Sequence, residues 1–142
     1  MKHLLLLLAF PLAAVAAPSD RDLVAAVLVA EAGGEKRASV GMAAVWEVIH
    51  QRAINRRIGY AAVVRQRLQF SCLNRTTPDA LVKRARGHAR WREAGGIVGA
   101  VPQTNHTRGA DHYHTRGVSP KWSRGVKPVA VVGGHLFFKL SK

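Results

Sequence analysis

From residue 19 onward the apolar positions of the chain fall into helical spacing. Leu23, Val27 and Glu31 share one i,i+4 row of a helix that starts at Asp20. Ser19 and Asp22 ahead of it resemble a capping box with the shorter acid, and Gly33-Gly34 supplies its stop. From Lys36 to about Asn55 a second helix is predicted, with Val40, Ala44 and Val48 on one row and Gly41, Val45 and Ile49 on the next. The Gly and Ala positions suit close helix packing. "YAAVVRQ", residues 60–66, predicts a short third helix. Thr77-Pro78-Asp79 opens a fourth, with Thr77 as N-cap and Pro78 at the first helical position. It is expected to run through "DALVKRARGHARWREA" and to end at Gly95-Gly96. The pattern then changes. "GADHYHTRG" reads as a short strand between glycines, and "PVAVVGGHLFFK" as two apolar runs around Gly133-Gly134, a hairpin signal. Helices followed by a small antiparallel sheet predict an α+β domain, mainly helical, with its sheet near the C-terminus.

The first residues alter this reading. "MKHLLLLLAFPLAAVAAPSD" has a basic start at Lys2, an apolar run from Leu4 to Val15, and small residues at Ala14 and Ala16. That order is the one a secretory signal peptide shows, and residues 1–16 are assigned to it. The run falls short of the ~20 residues that a membrane-spanning helix needs. The expected location is the periplasm or the extracellular cell-wall space. Residues 17–142, roughly 125 of them, suit one domain. Cys72 is the only cysteine, so no internal disulfide can form, and burial is expected for it.

Charge narrows the partners. The chain carries 22 Lys+Arg against 8 Asp+Glu, a formal net charge of +14, which calls for polyanionic surroundings. "KRARGHARWRE", arginines with an interleaved tryptophan, has the composition of a nucleic-acid-binding segment. The export signal and the lack of a recognised binding motif favour a solvated face drawn to the anionic envelope. A monomer is expected, with no nucleic-acid partner and no stable membrane insertion.

In so acid-poor a chain, Glu31 and Glu35 around Gly33-Gly34 are the first candidates for chemistry. Amid Val27, Leu28 and Ala32, Glu31 loses solvation in its charged form, which favours the protonated state a general acid needs; basic neighbours oppose this. Glycosidic cleavage usually takes two carboxylates, and Glu35 is the second candidate. The glycines interrupt the helix between them, so no separation follows. The competing reading pairs Glu31 with an arginine and makes Glu35 a first-turn acid of the next helix.

"QFS" offers Gln69 and Ser71 to sugar hydroxyls and Phe70 to a pyranose face, or places Phe70 in the core or floor. In "DHYHT", His112 and His114 point to one face of a strand. With Asp111, His106 or His135 they invite a metal reading, but Asp111 faces the other way and no third ligand is firm. Sugar hydrogen bonding by the histidines is preferred, with Tyr113 on the opposite, core-facing side; a twist would turn Tyr113 into the groove. Trp46 reads as core, Trp91 as partly exposed, and Trp122 as a loop residue that packs on the sheet or borders the glycan. His135, Phe137 and Phe138 read as structural.

"LVAEAGGE", "VGMAAVWEVIHQR", "QFSCLN" and "GADHYHTRGVSPKWSRGVKPVAVVGGHLFFK" together resemble the SleB-type cell wall hydrolases, in family order and over almost the whole chain beyond the signal peptide. The resemblance implies a small lysozyme-like fold and an enzyme that cuts the glycan strands of peptidoglycan. It places the catalytic glutamate on Glu31, with Glu35 supporting and Gln69, Phe70, Ser71, His112, Tyr113 and His114 toward the substrate. No metal and no cofactor are implied. The implied mechanism is that of a lytic transglycosylase. Glu31 protonates the oxygen between N-acetylmuramic acid and N-acetylglucosamine, then takes the muramyl 6-hydroxyl proton as a 1,6-anhydro ring closes. A muramidase using water is the near variant. The other classes are a metal-dependent wall amidase using the Asp111–His114 region, and a non-catalytic cationic wall-binding protein. The chain departs from the family pattern at Gly33 (commonly arginine), Gln51 (commonly asparagine) and Asp111 (commonly a small hydroxyl residue).

Overall fold

The computed structural model describes residues 17–67 and 69–141, so the predicted signal peptide lies outside the described residues. Five α-helices come first: α1 (Asp20–Ala32), α2 (Ala38–Arg56), α3 (Tyr60–Arg65), α4 (Pro78–Arg86) and α5 (Trp91–Ile97). Three strands follow: β1 (His112–Thr115), β2 (Ala130–Val132) and β3 (His135–Phe138). Short 3-10 turns occupy Ser71–Leu73 and Lys121–Ser123. The domain is α+β, as the pattern predicts. Among the described residues no helix is long and apolar enough to cross a membrane.

α1 is the axis of the helical part. Every residue from Leu23 to Val29 is buried, because α2, α3, α4 and α5 all pack around it. A helix surrounded in this way needs apolar or small residues on all sides, and "LVAAVLV" supplies them. Replacing Leu28, which has no exposed surface, with alanine would cost about 2–5 kcal/mol. The caps are those read from the sequence: Ser19 Oγ accepts from Asp22 N at 3.1 Å, and Thr77 Oγ1 from Ala80 N at 3.2 Å. Each contributes about 1 kcal/mol.

The predicted long helix over 78–94 is two helices. α4 stops at Arg86, and His88 N bonds back to Ala85 O while the His88 ring accepts from Arg90 N, which turns the chain before α5. α5 continues through Gly95-Gly96 rather than ending there. Ala94 is fully buried, and Arg21 of α1 donates to Gly95 O at 2.7 Å, so tertiary contacts override the weak helix propensity of the glycine pair.

The sheet is antiparallel in the order β1-β3-β2, with Tyr113 opposite Phe137 and His114 opposite Leu136. This register divides its side chains into two faces. The inner face carries Tyr113, Phe137, Ala130 and Val132 and packs on Ala44 and Val48 of α2. The outer face carries His112, His114, Leu136, Phe138 and Val131, with Trp122 against it. Gly133, at φ +54, makes the β2–β3 turn that the sequence predicts.

Candidate active site

Glu31 sits in the last turn of α1, where the buried helix reaches the inner face of the sheet. Tyr113 crosses from β1, and its hydroxyl donates to Glu31 Oε2 at 3.0 Å. The other carboxylate oxygen, Oε1, is buried with no hydrogen-bond partner. Among the described residues Glu31 enters no ion pair within bonding distance, so the helix-end salt bridge of the competing reading is not formed. Burial, and then the charge of Glu31, push the Tyr113 phenol well above its ordinary range. Tyr113 therefore keeps its proton and serves as a donor.

Glu35 occupies the turn between α1 and α2 and contacts a different partner. His135 Nδ1 of β3 lies 2.9 Å from Glu35 Oε1, and Glu35 Oε2 is buried without a partner. Two glycines make room for this carboxylate. A Cβ at Gly41 would stand 2.6 Å from Oε2, and one at Gly133 would collide with the carboxylate outright. The His135 ring meets Tyr113 edge-on, centroids 5.2 Å apart. A continuous row thus runs Glu35, His135, Tyr113, Glu31. His135, read from sequence as structural, is the link that joins the two acids.

The floor beneath this row is Phe70 and Arg52. Phe70 is 2% exposed, with its centroid 6.4 Å from Tyr113 and 5.5 Å from the Arg52 guanidinium carbon. Arg52 donates through Nε to the Asp111 carbonyl, and its Nη1 is buried and unpaired. Burial, with the like charge of Arg56, pulls the guanidinium down to about 10 against the favourable charges of Asp111 and Glu31, so Arg52 remains a cation at neutral pH. Cys72 is half-buried beside the same acid. Burial first, and the Glu31 charge second, push its thiol far up, so it is no thiolate nucleophile.

Sequence comparison adds the family. Residues 36–138 match the Cell Wall Hydrolase family. The chain belongs to that family. No curated protein and no solved structure matches it. The match covers Arg52, Phe70, Tyr113 and His135, and it begins one residue after Glu35. In this cell wall hydrolase the two acids of "EAGGE" therefore precede the matched segment, and their relation to it is carried by the contacts of Tyr113 and His135.

The remaining candidates divide. Gln69 is half-buried and Ser71 exposed, on the segment that brings Cys72 to Glu31. His112 and His114 do not join the site. They lie on the outer face, opposite Tyr113, because adjacent strand residues point to opposite sides. There they pack with Trp122 at 5.2 and 5.5 Å between centroids. The triplet "HYH" is split by its own strand, and the face expected to be merely core-facing is the one that reaches Glu31. The metal reading is not supported by arrangement: among the described residues, no three His, Cys, Asp or Glu side chains are grouped to hold an ion.

Asp111 is a brace. Its carboxylate accepts from Leu140 N and Ser141 N at 2.9 Å each and contacts His112 Nδ1 at 2.9 Å, tying the end of the chain to β1. Burial raises this carboxyl, but these bonds outweigh it and hold it well below the usual carboxylate range.

Glu47 is a buried acid that the helical pattern does not single out. It is buried in the middle of α2 and accepts from Thr104 Oγ1, His106 N, Thr107 N and Thr107 Oγ1 at 2.6–2.9 Å. Burial raises its carboxyl and the four hydrogen bonds more than offset that, leaving it below its ordinary value. The available signal was an acid flanked by Trp46 and Val48 in an apolar helix, upstream of the donor-rich "QTNHT".

Proposed function

We propose that this exported cell wall hydrolase cleaves the glycan strand of peptidoglycan between N-acetylmuramic acid and N-acetylglucosamine, as a lytic transglycosylase, with Glu31 as acid and then base. The observation that carries this reading is the state of the Glu31 carboxyl: one oxygen held by Tyr113, the other inside the domain with no partner. The unpartnered oxygen is the one left to exchange a proton with a substrate oxygen, while Tyr113 fixes the other. Protonated Glu31 gives its proton to the glycosidic oxygen as the bond from that oxygen to the muramyl anomeric carbon breaks. The new carboxylate is stabilised by the Tyr113 hydroxyl and by the nearby Arg52 cation. It then removes the proton of the muramyl 6-hydroxyl, whose oxygen closes on the anomeric carbon. One carboxyl completes the cycle, and the acid is regenerated.

Glu35 has a supporting role here. Through His135 it holds the Tyr113 ring edge-on, and so sets the bond to Glu31. Gln69 and Ser71, on the segment that carries Cys72 to Glu31, are assigned to the sugar groups flanking the scissile bond, with Phe70 as floor. The partner is the peptidoglycan glycan strand, and the working location the periplasm or the cell-wall space outside the cell.

The test is digestion of purified sacculi by the wild type and by Glu31→Gln, each with and without chelator. Loss of soluble glycan release in Glu31→Gln, with melting unchanged and no response to chelator, is the expected result. Release that persists in Glu31→Gln contradicts the assignment, and release that chelator abolishes favours the amidase.

A further inference from the structure

The outer face of the sheet is built differently from the rest of the surface. Of the six large hydrophobic residues exposed among the described residues, four lie between positions 118 and 131: Val118 at 53%, Trp122 at 38%, Val126 at 37% and Val131 at 50%. The same loop exposes Arg116, Lys121, Arg124 and Lys127, and no Asp or Glu occurs from residue 112 to the end of the chain. Apolar and cationic side chains alternate along it with no counter-charge.

The loop is preset in shape. Ser123 is buried and its Oγ donates to Pro120 O at 2.9 Å; Arg124 N and Val126 N close successive turns on Lys121 O and Ser123 O. Trp122 stands edge-on to the buried Phe138 ring at 5.3 Å and against both histidines, so its indole is anchored on one side and open on the other. Little ordering entropy remains to be lost on contact with a partner.

The chemistry of the patch selects the partner. The cations require an anionic surface. The valines gain nothing from sugar hydroxyls or from a phosphate backbone; they gain by leaving water for an apolar phase. An indole beside basic residues is the arrangement favoured at the boundary between headgroups and acyl chains. We propose that the 116–131 loop and the outer face of the sheet dock this protein, peripherally and without insertion of a helix, on an anionic phospholipid surface. Tyr113 and Glu31 lie on the opposite face of the sheet, so docking leaves the site at Glu31 turned away from the lipid. This inference does not rest on the glycan-cleaving reading.

The test uses the exported protein recovered after expression of the full chain, with every variant made in that same chain. Co-sedimentation is measured with vesicles of phosphatidylcholine alone and with vesicles holding about a third phosphatidylglycerol. Binding to the anionic vesicles is expected, with at least tenfold weaker partition onto the neutral ones. Val118→Ser with Val126→Ser, two exposed positions and no added charge, is expected to weaken anionic binding about tenfold. Lys121→Ala, Arg124→Ala and Lys127→Ala together are expected to weaken it about a hundredfold, from roughly fivefold per cation. Both variants should melt with the wild type. No binding to anionic vesicles, or equal binding to neutral ones, overturns the proposal. So does loss in the charge variant alone, which reports simple attraction to a polyanion. A valine variant that loses sacculus binding while keeping vesicle binding also overturns it, and makes a wall polymer the occupant.

Discussion

Glu31 and Glu47 are two carboxyls carried into the same small domain by neighbouring helices, and their surroundings differ in one respect. Glu47 receives four hydrogen bonds from the 104–107 segment, enough to outweigh burial and keep it ionised. Glu31 receives one from the Tyr113 hydroxyl and a weak one from the Cys72 thiol, and keeps a buried oxygen outside normal hydrogen-bond geometry. A carboxylate whose lone pairs are all engaged holds a loop in place and has nothing to exchange. A carboxyl left short of donors can trade a proton with a substrate. The contrast lies in the supply of donors, and it supports the proposal that Glu47 serves structure and Glu31 chemistry.

Substituting the two acids separates these roles. Glu31→Gln should lower glycan release about a thousandfold while the melting temperature stays within roughly 2 °C. Glu47→Ala should do the reverse: it strands four donors, costs about 3–5 kcal/mol, and lowers the melting temperature by about 10 °C or more. If Glu47→Ala stays stable but turns inactive, the assignment is inverted. Next in size is Tyr113→Phe, which removes the hydroxyl that holds Glu31; kcat should fall about ten- to a hundredfold with KM little changed. A wild-type kcat would show that the 3.0 Å bond does not serve catalysis.

Gly133→Ala sharpens the comparison at the second acid. It adds a Cβ both at φ +54 and against the Glu35 carboxylate. A loss of about 2 kcal/mol with roughly tenfold lower activity is expected, by calorimetry and by turnover. Normal values would mean that Glu35 is not confined there.

Acid titration of stability gives a smaller effect with a definite sign. Glu47 is held below its ordinary value of 4.5, so its contribution is complete above that pH and is lost as pH falls through the lower folded value. Wild type should therefore lose stability as pH falls below the ordinary value of 4.5, and Glu47→Gln should start lower and lose less. Parallel curves would remove Glu47 as a source of acid sensitivity. The smallest effect belongs to His114→Ala, on the face away from Glu31: kcat/KM on soluble fragments should stay within about twofold. A tenfold loss would mean that the outer face takes part in the reaction.

Local signals made most of the helices legible. Ser19 and Thr77 announced their caps, and the small-residue rows of α2 announced close packing. The break between α4 and α5 was hidden because its cause is tertiary: Arg21 and the buried Ala94 sustain a glycine-rich helix that propensity alone would end. Glu31 stood out as an acid closing an apolar row. Its partner did not, since Tyr113 lies 82 residues away and only the strand register turns it inward. His112 and His114, attractive by composition, were lost to the same register. Glu47 was overlooked because its donors, 57 to 60 residues downstream, belong to a loop with no periodic pattern.

The most direct measurement is the mass spectrum of muropeptides released from purified sacculi. The account expects fragments ending in 1,6-anhydro-muramic acid from the wild type and none from Glu31→Gln. Free stem peptides with the glycan strands intact, or the same anhydro ends from Glu31→Gln, would contradict it.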